Sequence, residues 1–559
     1  MTASKPPRPA NLPYGRWLGD FPRLSAAEKD LVAKCAAGEG CVLGDGNCPT
    51  KATSANTIRA GLIRFLMLGG DDAHPVHEYG VRLQGAWIKG AIRLDNVESR
   101  GSLGLLDCWI AERVVAQDAT FTNFALSGCR MPGLKADRLV VKGSVFLKDG
   151  LTATGEVKLP GAQIGGNLEC TGGKFCNAGK DGGALGCALN ADGIEVTGDV
   201  FLDEGFTATG EVRLLGAHIG GVLSCSGGTF RNADKDGKPQ GNALAADSIV
   251  VMGGFFVRAA SFLGRIDLSA AHVASLVDDS ICWPDCSLIL DGFQYDRVAA
   301  SPMDAAMRIG WLEKQYPSHL GNDFRPQPWE QLIKVLREMG HSAEAAEVAM
   351  AKQRALRKAG KIGQRRPDPR YSGLHLKLDR IWVSGANLFA RVWHRIYGRL
   401  AGFGYRPTGI LMWMVIVAGL SGAYFSTAAD AGLMAPTSAE VFTHKELHDD
   451  LNSRGDDSAS CGIQREVSPA RYWPACTELP SEYTAFNPWW YSIDLILPLV
   501  DLQQDSQWNP AATYTDAGGT MRTLPGGVLA RLFMWFEILF GWFASLMFVA
   551  IASRLVEKD

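Results

Sequence analysis

The sequence has no loop in which glycines would cradle a nucleotide. There is no strand-Gly-x-Gly-x-x-Gly-helix unit with a following acid and no Gly-Lys-Ser/Thr loop. Dinucleotide chemistry and P-loop phosphoryl transfer are therefore not indicated. No Cys-x-x-Cys pair exists, and Cys282-Trp-Pro-Asp-Cys286 has one residue too many between its sulfurs. Cys170, Cys176, Cys187 and Cys225 lack the paired short spacings of a zinc site. His74, His77 and Glu78 stand close together, but in a Pro-containing loop they read as a polar turn before they read as metal ligands. Net charge is also scarce: 56 Lys and Arg nearly balance 59 Asp and Glu, leaving −3. No global positive field would recruit nucleic acid. Met1 to Ala10 lacks an apolar core, so no cleavable secretion signal is expected. These absences leave no catalytic residue, metal or cofactor to nominate, and the reading leans away from an enzyme.

What is abundant is glycine, 64 residues, in a chain that is 47% hydrophobic, a combination that argues for turn-rich repeats over disorder. At 559 residues the chain exceeds one core and implies several domains. A repeat is visible directly. Thr152-Ala-Thr-Gly-Glu-Val-Lys-Leu-Pro-Gly-Ala-Gln-Ile-Gly-Gly returns 55 residues later as Thr207-Ala-Thr-Gly-Glu-Val-Arg-Leu-Leu-Gly-Ala-His-Ile-Gly-Gly, with Cys170, Phe175 and Asp192 mapping onto Cys225, Phe230 and Asp247. Within it, Gly143, Gly155 and Gly166, then Gly198, Gly210 and Gly221, each precede a short segment of alternating apolar and polar residues. Alternation predicts strands with one buried face, and glycine at each corner would supply backbone angles that other residues avoid. Evenly spaced short strands predict a solenoid, right-handed and β-helix-like, with the polar stretches near Asn177–Gly186 and Asn232–Gly241 as loops on one side.

A solenoid needs covered ends. Leu24-Ser25-Ala-Ala-Glu28 is a capping box opening a helix that ends near Gly38, and Thr57 to Leu68 reads as a second helix. On the other side, Trp329 to Gly340 and Ala343 to Leu356 predict a helical hairpin of tetratricopeptide type.

From Lys352 to Arg406 the chain carries fourteen Lys or Arg against Asp368 and Asp379. Leu388, Phe389, Val392, Trp393, Ile396, Tyr397 and Leu400 share one helical face while Arg391, Arg395 and Arg399 line another, the pattern of a helix lying in a membrane interface. Thr408 to Ala429 is uncharged and Leu532 to Ala552 holds only Glu537, each about the ~20 residues that a bilayer core requires. Between them, Thr427 to Ala530 holds five basic and fourteen acidic residues, so both termini are expected in the cytoplasm. Cys461 and Cys476 would then lie in an oxidising space, where a disulfide would contribute ~3 kcal/mol. The other cysteines are expected to act as small core residues. Phe486 to Trp508 is apolar but broken by Pro498. It is either a re-entrant half-helix followed by a turn or an aromatic-rich interfacial loop.

Span, re-entrant-like segment and span resembles the pore unit of two-helix tetrameric cation channels, although Leu497-Pro-Leu-Val-Asp-Leu502 replaces their Thr-Val-Gly-Tyr-Gly filter signature. The C-terminal half is similar to a group of bacterial pentapeptide-repeat-like membrane proteins. The residues that carry the similarity are Gln327-Pro-Trp-Glu-Gln-Leu332, Gly402-Phe-Gly-Tyr-Arg-Pro407, Tyr491-Ser-Ile-Asp494 with Pro498-Leu-Val-Asp501, and Gly541-Trp542. This resemblance implies fold and placement rather than chemistry; similar chains sometimes carry a membrane-associated oxidoreductase label. The expected organisation is an N-terminal helical cap (1–78), a β-solenoid (79–300), a helical hairpin (301–366), a basic linker with an interfacial helix (367–406), a first span (407–429), an extracytoplasmic loop (430–485), a re-entrant or pore-like segment (486–510) and a second span (530–554). The fold class is thus a β-solenoid with a helical hairpin and two transmembrane helices, mixed α and β, in several domains.

Asp494, Pro498, Asp501 and Glu537 are the pore or gating candidates, because rings of acids attract cations and a carboxylate within a span requires a partner, a proton or water. For Glu537 the plainer alternative is a pairing with Arg531 or with a residue of a neighbouring subunit. Arg391, Trp393, Arg395, Arg399 and Arg406 are the interface candidates. Two functional readings come first: an oligomeric membrane sensor or ion-channel-like pore, and a membrane-anchored scaffold that binds a protein or small molecule on its solenoid face. A membrane-associated oxidoreductase is third. The expected setting is the bacterial inner membrane, with the lipid bilayer and further copies of the chain as partners and no nucleic acid.

Overall fold

The computed structural model describes residues 17–283, 286–315, 324–438, 441, 473–475, 479, 483–515 and 520–556. The chain forms two compact units, Met1–Ala359 and Gly360–Asp559.

The first unit is a parallel β-solenoid between helical ends. Each coil contributes four very short strands: Phe124–Ala125, Arg130–Met131, Leu134–Lys135 and Val140–Val141 form one coil. Each pairs in parallel with its equivalent in the next, as Phe124 with Val145, Arg130 with Thr152, Leu134 with Val157 and Val140 with Gln163. The ladders merge into two long parallel sheets of 16 strands each. Val145 pairs with Leu168, but Leu168 pairs with Val200, so the second coil is longer by the polar insert between them. The same alternation recurs from Val200 to Leu223 and then to Phe255. The 55-residue period is therefore two coils, one plain and one with an insert.

Alternation puts one residue of each strand inside. Phe175, Phe206, Phe230 and Phe262 stack coil upon coil with ring centroids 5.2, 5.5 and 4.8 Å apart, each such pair adding roughly 0.5–1.5 kcal/mol beyond burial. Cys108, Cys129, Cys170 and Cys225 fill the same interior and are free thiols.

Gly143, Gly155 and Gly166 serve a different purpose from the one their spacing suggested. They do not have positive φ; instead a Cβ on Gly155 would lie 2.5 Å from Pro132 O, and one on Gly166 2.4 Å from Ser144 Oγ of the preceding coil. The left-handed corners fall elsewhere, at Gly161 and Gly172 but also at Asp107, Asp118, Arg138 and Ser248.

Helix α1 (Ala26–Ala37) opens with the predicted capping box: Ser25 Oγ accepts from Glu28 N and Glu28 Oε2 accepts from Ser25 N, both at 3.1 Å. Gly38 closes it at φ +72°. The second predicted helix begins later than expected. Thr57–Arg59, with two β-branched residues, pairs as a strand with Trp87–Lys89, and α2 runs only over Ala60–Met67.

At the other end, α3 (Ala305–Glu313) is followed by the hairpin α4 (Gln327–Glu338) and α5 (Ser342–Lys358), turning at Gly340. Here α4 covers the last coil. Gln327 accepts from Gly292 N and donates to Phe293 O, both at 3.0 Å, and Gln331 donates to Tyr295 O at 2.7 Å. Side-chain amides thus satisfy edge groups that would otherwise be open to another strand.

The second unit is helical. Among the described residues its α-helices are α6 (Gly373–Ala401), α7 (Pro407–Asp430), α8 (Pro488–Ile496) and α9 (Pro525–Val556). Both α7 and, over Pro525–Ser553, α9 are long and apolar enough to cross a membrane, and most of each is exposed rather than packed inside the protein. Met434–Pro436 pairs antiparallel with Trp508–Pro510, joining the end of α7 to the segment after α8.

Candidate functional site

The half-helix α8 is short for a local reason. Asn487 caps it, its Oδ1 accepting from Trp489 N at 3.0 Å and Trp490 N at 3.1 Å, with Pro488 in the first turn. It ends at Ile496, because the residue before Pro498 is pushed out of helical geometry. Nine residues rise about 13 Å, far less than a bilayer core. The segment thus forms a short helix, Pro488–Ile496, followed by a turn.

Two glycines let α8 sit between α7 and α9. A Cβ on Gly422 of α7 would strike the Trp489 ring at 2.5 Å, and one on Gly541 of α9 would lie 2.4 Å from Ile496 O. Phe425, Tyr491, Leu495, Trp508 and Met534 pack around one end of this junction, and Ile410, Met414, Ile496 and Ala544 around the other. Ser421, Ser492 and Glu537 are fully buried as well. Ser492 Oγ lies 3.0 Å from Ala418 O and is also hydrogen-bonded to Glu537 Oε1. Ser421 flanks the same carboxylate from α7, but its hydroxyl and Glu537 Oε2 have no partner of good geometry.

Glu537 thus faces the inside of its own subunit. Arg531 is not its partner, because the guanidinium donates to Pro510 O at 2.8 Å.

Asp494 is buried too, and its carboxylate closes the loop beyond α8. Oδ1 accepts from Leu502 N at 2.7 Å, and Oδ2 accepts from Gln504 N at 2.8 Å and Asp505 N at 3.0 Å. Pro498 lies in the turn this closure creates, half-buried, and Asp501 is exposed with Oδ1 accepting from Gln503 N at 2.7 Å. Asp494, Asp501 and Asp505 bring carboxylate oxygens within 4.8 Å of one another. Partial burial, then the facing carboxylates of Asp494 and Asp501, push the Asp505 carboxyl above its usual range. Oxygens of this kind suit a hard cation, yet both oxygens of Asp494 are already committed to backbone N–H groups.

In α6, Arg391, Arg395 and Arg399 are exposed, as is Arg406 beyond its end, and Trp393 packs edge-on to Phe543 of α9 at 5.5 Å. Large apolar residues of α6 stand exposed: Ile381 and Trp382 are 70% and 72% exposed, Leu388 and Phe389 63% and 69%. Soluble surface helices hide such a stripe. Cys461 and Cys476 lie outside the described residues.

Sequence reasoning missed Ser421, Ser492 and Ala418, which supply the polar surroundings of Glu537. The only available signal was helical spacing: Ser421 and Gly422 share the face of α7 that also carries Met414 and Phe425.

These features define a class of protein: a parallel β-solenoid carried in one chain with two membrane-length helices and a half-helix packed between them. Compared with known proteins, no protein family, curated protein or solved structure matches the chain.

Proposed function

We propose that the chain is a two-pass membrane protein whose α7, α8 and α9 assemble with further copies into an ion-channel-like pore, the β-solenoid serving on the cytoplasmic side as a sensor. The observation that carries this reading is the seating of α8. A capped half-helix wedged between two span-length helices ends in a loop whose tip, Leu499, is 90% exposed, two residues before the exposed Asp501. Non-helical backbone at membrane depth is tolerated where protein or a water-filled cavity covers it, and an assembly around this loop would provide both. Acids repeated around the axis would attract cations. The excess of Lys and Arg before α7 and of acids between the spans supports cytoplasmic termini, and the resemblance to bacterial pentapeptide-repeat-like membrane proteins suggests an inner membrane.

The second reading is a membrane-anchored scaffold. It is favoured by one observation: Glu537 and Asp494 are engaged inside the subunit and present no charge to a shared axis.

Conductance of the full chain in planar bilayers separates the two, comparing wild type with Asp501→Asn. Channel events whose amplitude falls in Asp501→Asn support the pore. A silent bilayer containing inserted, oligomeric protein supports the scaffold.

A further inference from the structure

The Ser492 hydroxyl is placed between two oxygens, Ala418 O and Glu537 Oε1, and has one proton to give. A backbone carbonyl only accepts, and an ionised carboxylate only accepts. If Glu537 were ionised, one of the two contacts would set lone pair against lone pair. A proton on Glu537 resolves both: its O–H donates to Ser492 Oγ, and Ser492 donates to Ala418 O. The remaining oxygen, Oε2, is then a plain acceptor beside the Ser421 hydroxyl, which has no other partner. Glu537, Ser492 and Ala418 then form a chain in which each donor has an acceptor, with the Ser421 hydroxyl beside its free end.

The surroundings agree. From Thr408 to Ala429, α7 offers no charged group, only Tyr424 as a titratable one. Helix α8 brings Tyr491 and Asp494, the loop beyond it Asp505, and α9 Arg531. Asp494 is held by three backbone N–H groups and Arg531 is turned to Pro510 O. Among the described residues, therefore, no cation faces Glu537, and a lone charge within a span is costly.

We propose that Glu537 carries a proton in the folded protein and that this proton ties α8 to both α7 and α9, making the loop after α8 a proton-responsive element. Loss of the proton leaves a buried unpaired charge, removes the donor to Ser492 and loosens the seat of α8. The proposal does not depend on conduction and applies equally to a scaffold.

The test uses the full chain in lipid. Infrared spectra are expected to show the C=O band of a protonated carboxylic acid that persists at neutral pH, fades at alkaline pH and is absent from Glu537→Gln. Glutamine keeps a donor for Ser492 and should preserve the fold. In a Leu495→Cys background, labelling of that buried position on α8, followed by the mass of its peptide and taken at each pH as a ratio to the same variant carrying Glu537→Gln so that the common gain of thiolate with pH cancels, is expected to rise at least several-fold toward alkaline pH. Absence of the band from folded wild type overturns the proposal. So does a labelling profile that Glu537→Gln leaves unchanged, or a labelling rise governed by sodium rather than by pH, which would assign the site to a bound cation.

Discussion

Arg308 grips Asp278 through both ends of its guanidinium, Nη1 to Oδ2 at 2.8 Å and Nη2 to Oδ1 at 2.9 Å, with both side chains fully buried. Trp283 Nε1 adds a third donor to Oδ2 at 2.8 Å, and Arg308 Nε reaches Pro302 O at 3.0 Å. The pair locks α3 onto the last coils of the solenoid. Removing one partner leaves the other charge buried and alone, at about 3–5 kcal/mol. Arg308→Met is expected to destabilise the protein by that amount in denaturant titrations. The double change Arg308→Met with Asp278→Leu should cost clearly less than the two single changes together. A loss below ~1 kcal/mol in Arg308→Met would refute the assignment.

Gly541 decides whether α8 can reach α9. Because a Cβ there would lie 2.4 Å from Ile496 O, a backbone atom that cannot swing away, Gly541→Leu is expected to lower the thermal midpoint of the full protein and expose the α8 segment to proteases. Gly419 of α7 has open space around it, so Gly419→Leu should leave both measurements within error.

A spin label at Ile381 of α6, whose side chain is 70% exposed, should be far more accessible to dissolved oxygen in lipid vesicles than one at Arg391. Equal accessibility at the two positions would place α6 in water instead of in the interface.

Burial pushes the Cys35 thiol up to about 12 and raises Cys170 and Cys225 further. Since the thiolate is the reactive form, alkylation at neutral pH should leave these three unlabelled in folded protein and modify them fully after denaturation. Labelling of Cys170 in the native state would mean that the solenoid interior opens.

Burial raises the Glu28 carboxyl, but the bidentate Arg59 guanidinium and the backbone N–H groups of Ser25 and Arg59 outweigh it and hold the group below its usual range. A depressed folded-state value contributes stability above the ordinary carboxylate range, and that contribution disappears as pH falls through the folded value. The stability difference between wild type and Glu28→Gln should therefore shrink on acidification. A difference that grows toward low pH would reverse the sign.

Where one residue type meets one local demand, the sequence was legible. Alternating residues and a 55-residue echo announced the solenoid, Ser25 and Glu28 announced the start of α1, Gly340 the hairpin turn, and long apolar runs the two long helices. Periodicity and capping are properties of neighbouring residues, so composition alone carries them. Tertiary packing decided the rest. Gly155 and Gly166 are glycines because the preceding coil touches them, and Asp107 and Arg138 take left-handed corners that their side chains do not advertise. Arg308 finds Asp278 across thirty residues of chain. Glu537 stood out at once as a charge within a span, but its meaning depended on Ser492 and Ala418, which are brought to it only when α8 folds back between α7 and α9. A hydrogen bond needs two atoms about 3 Å apart, and no spacing along the chain records which distant atoms those will be.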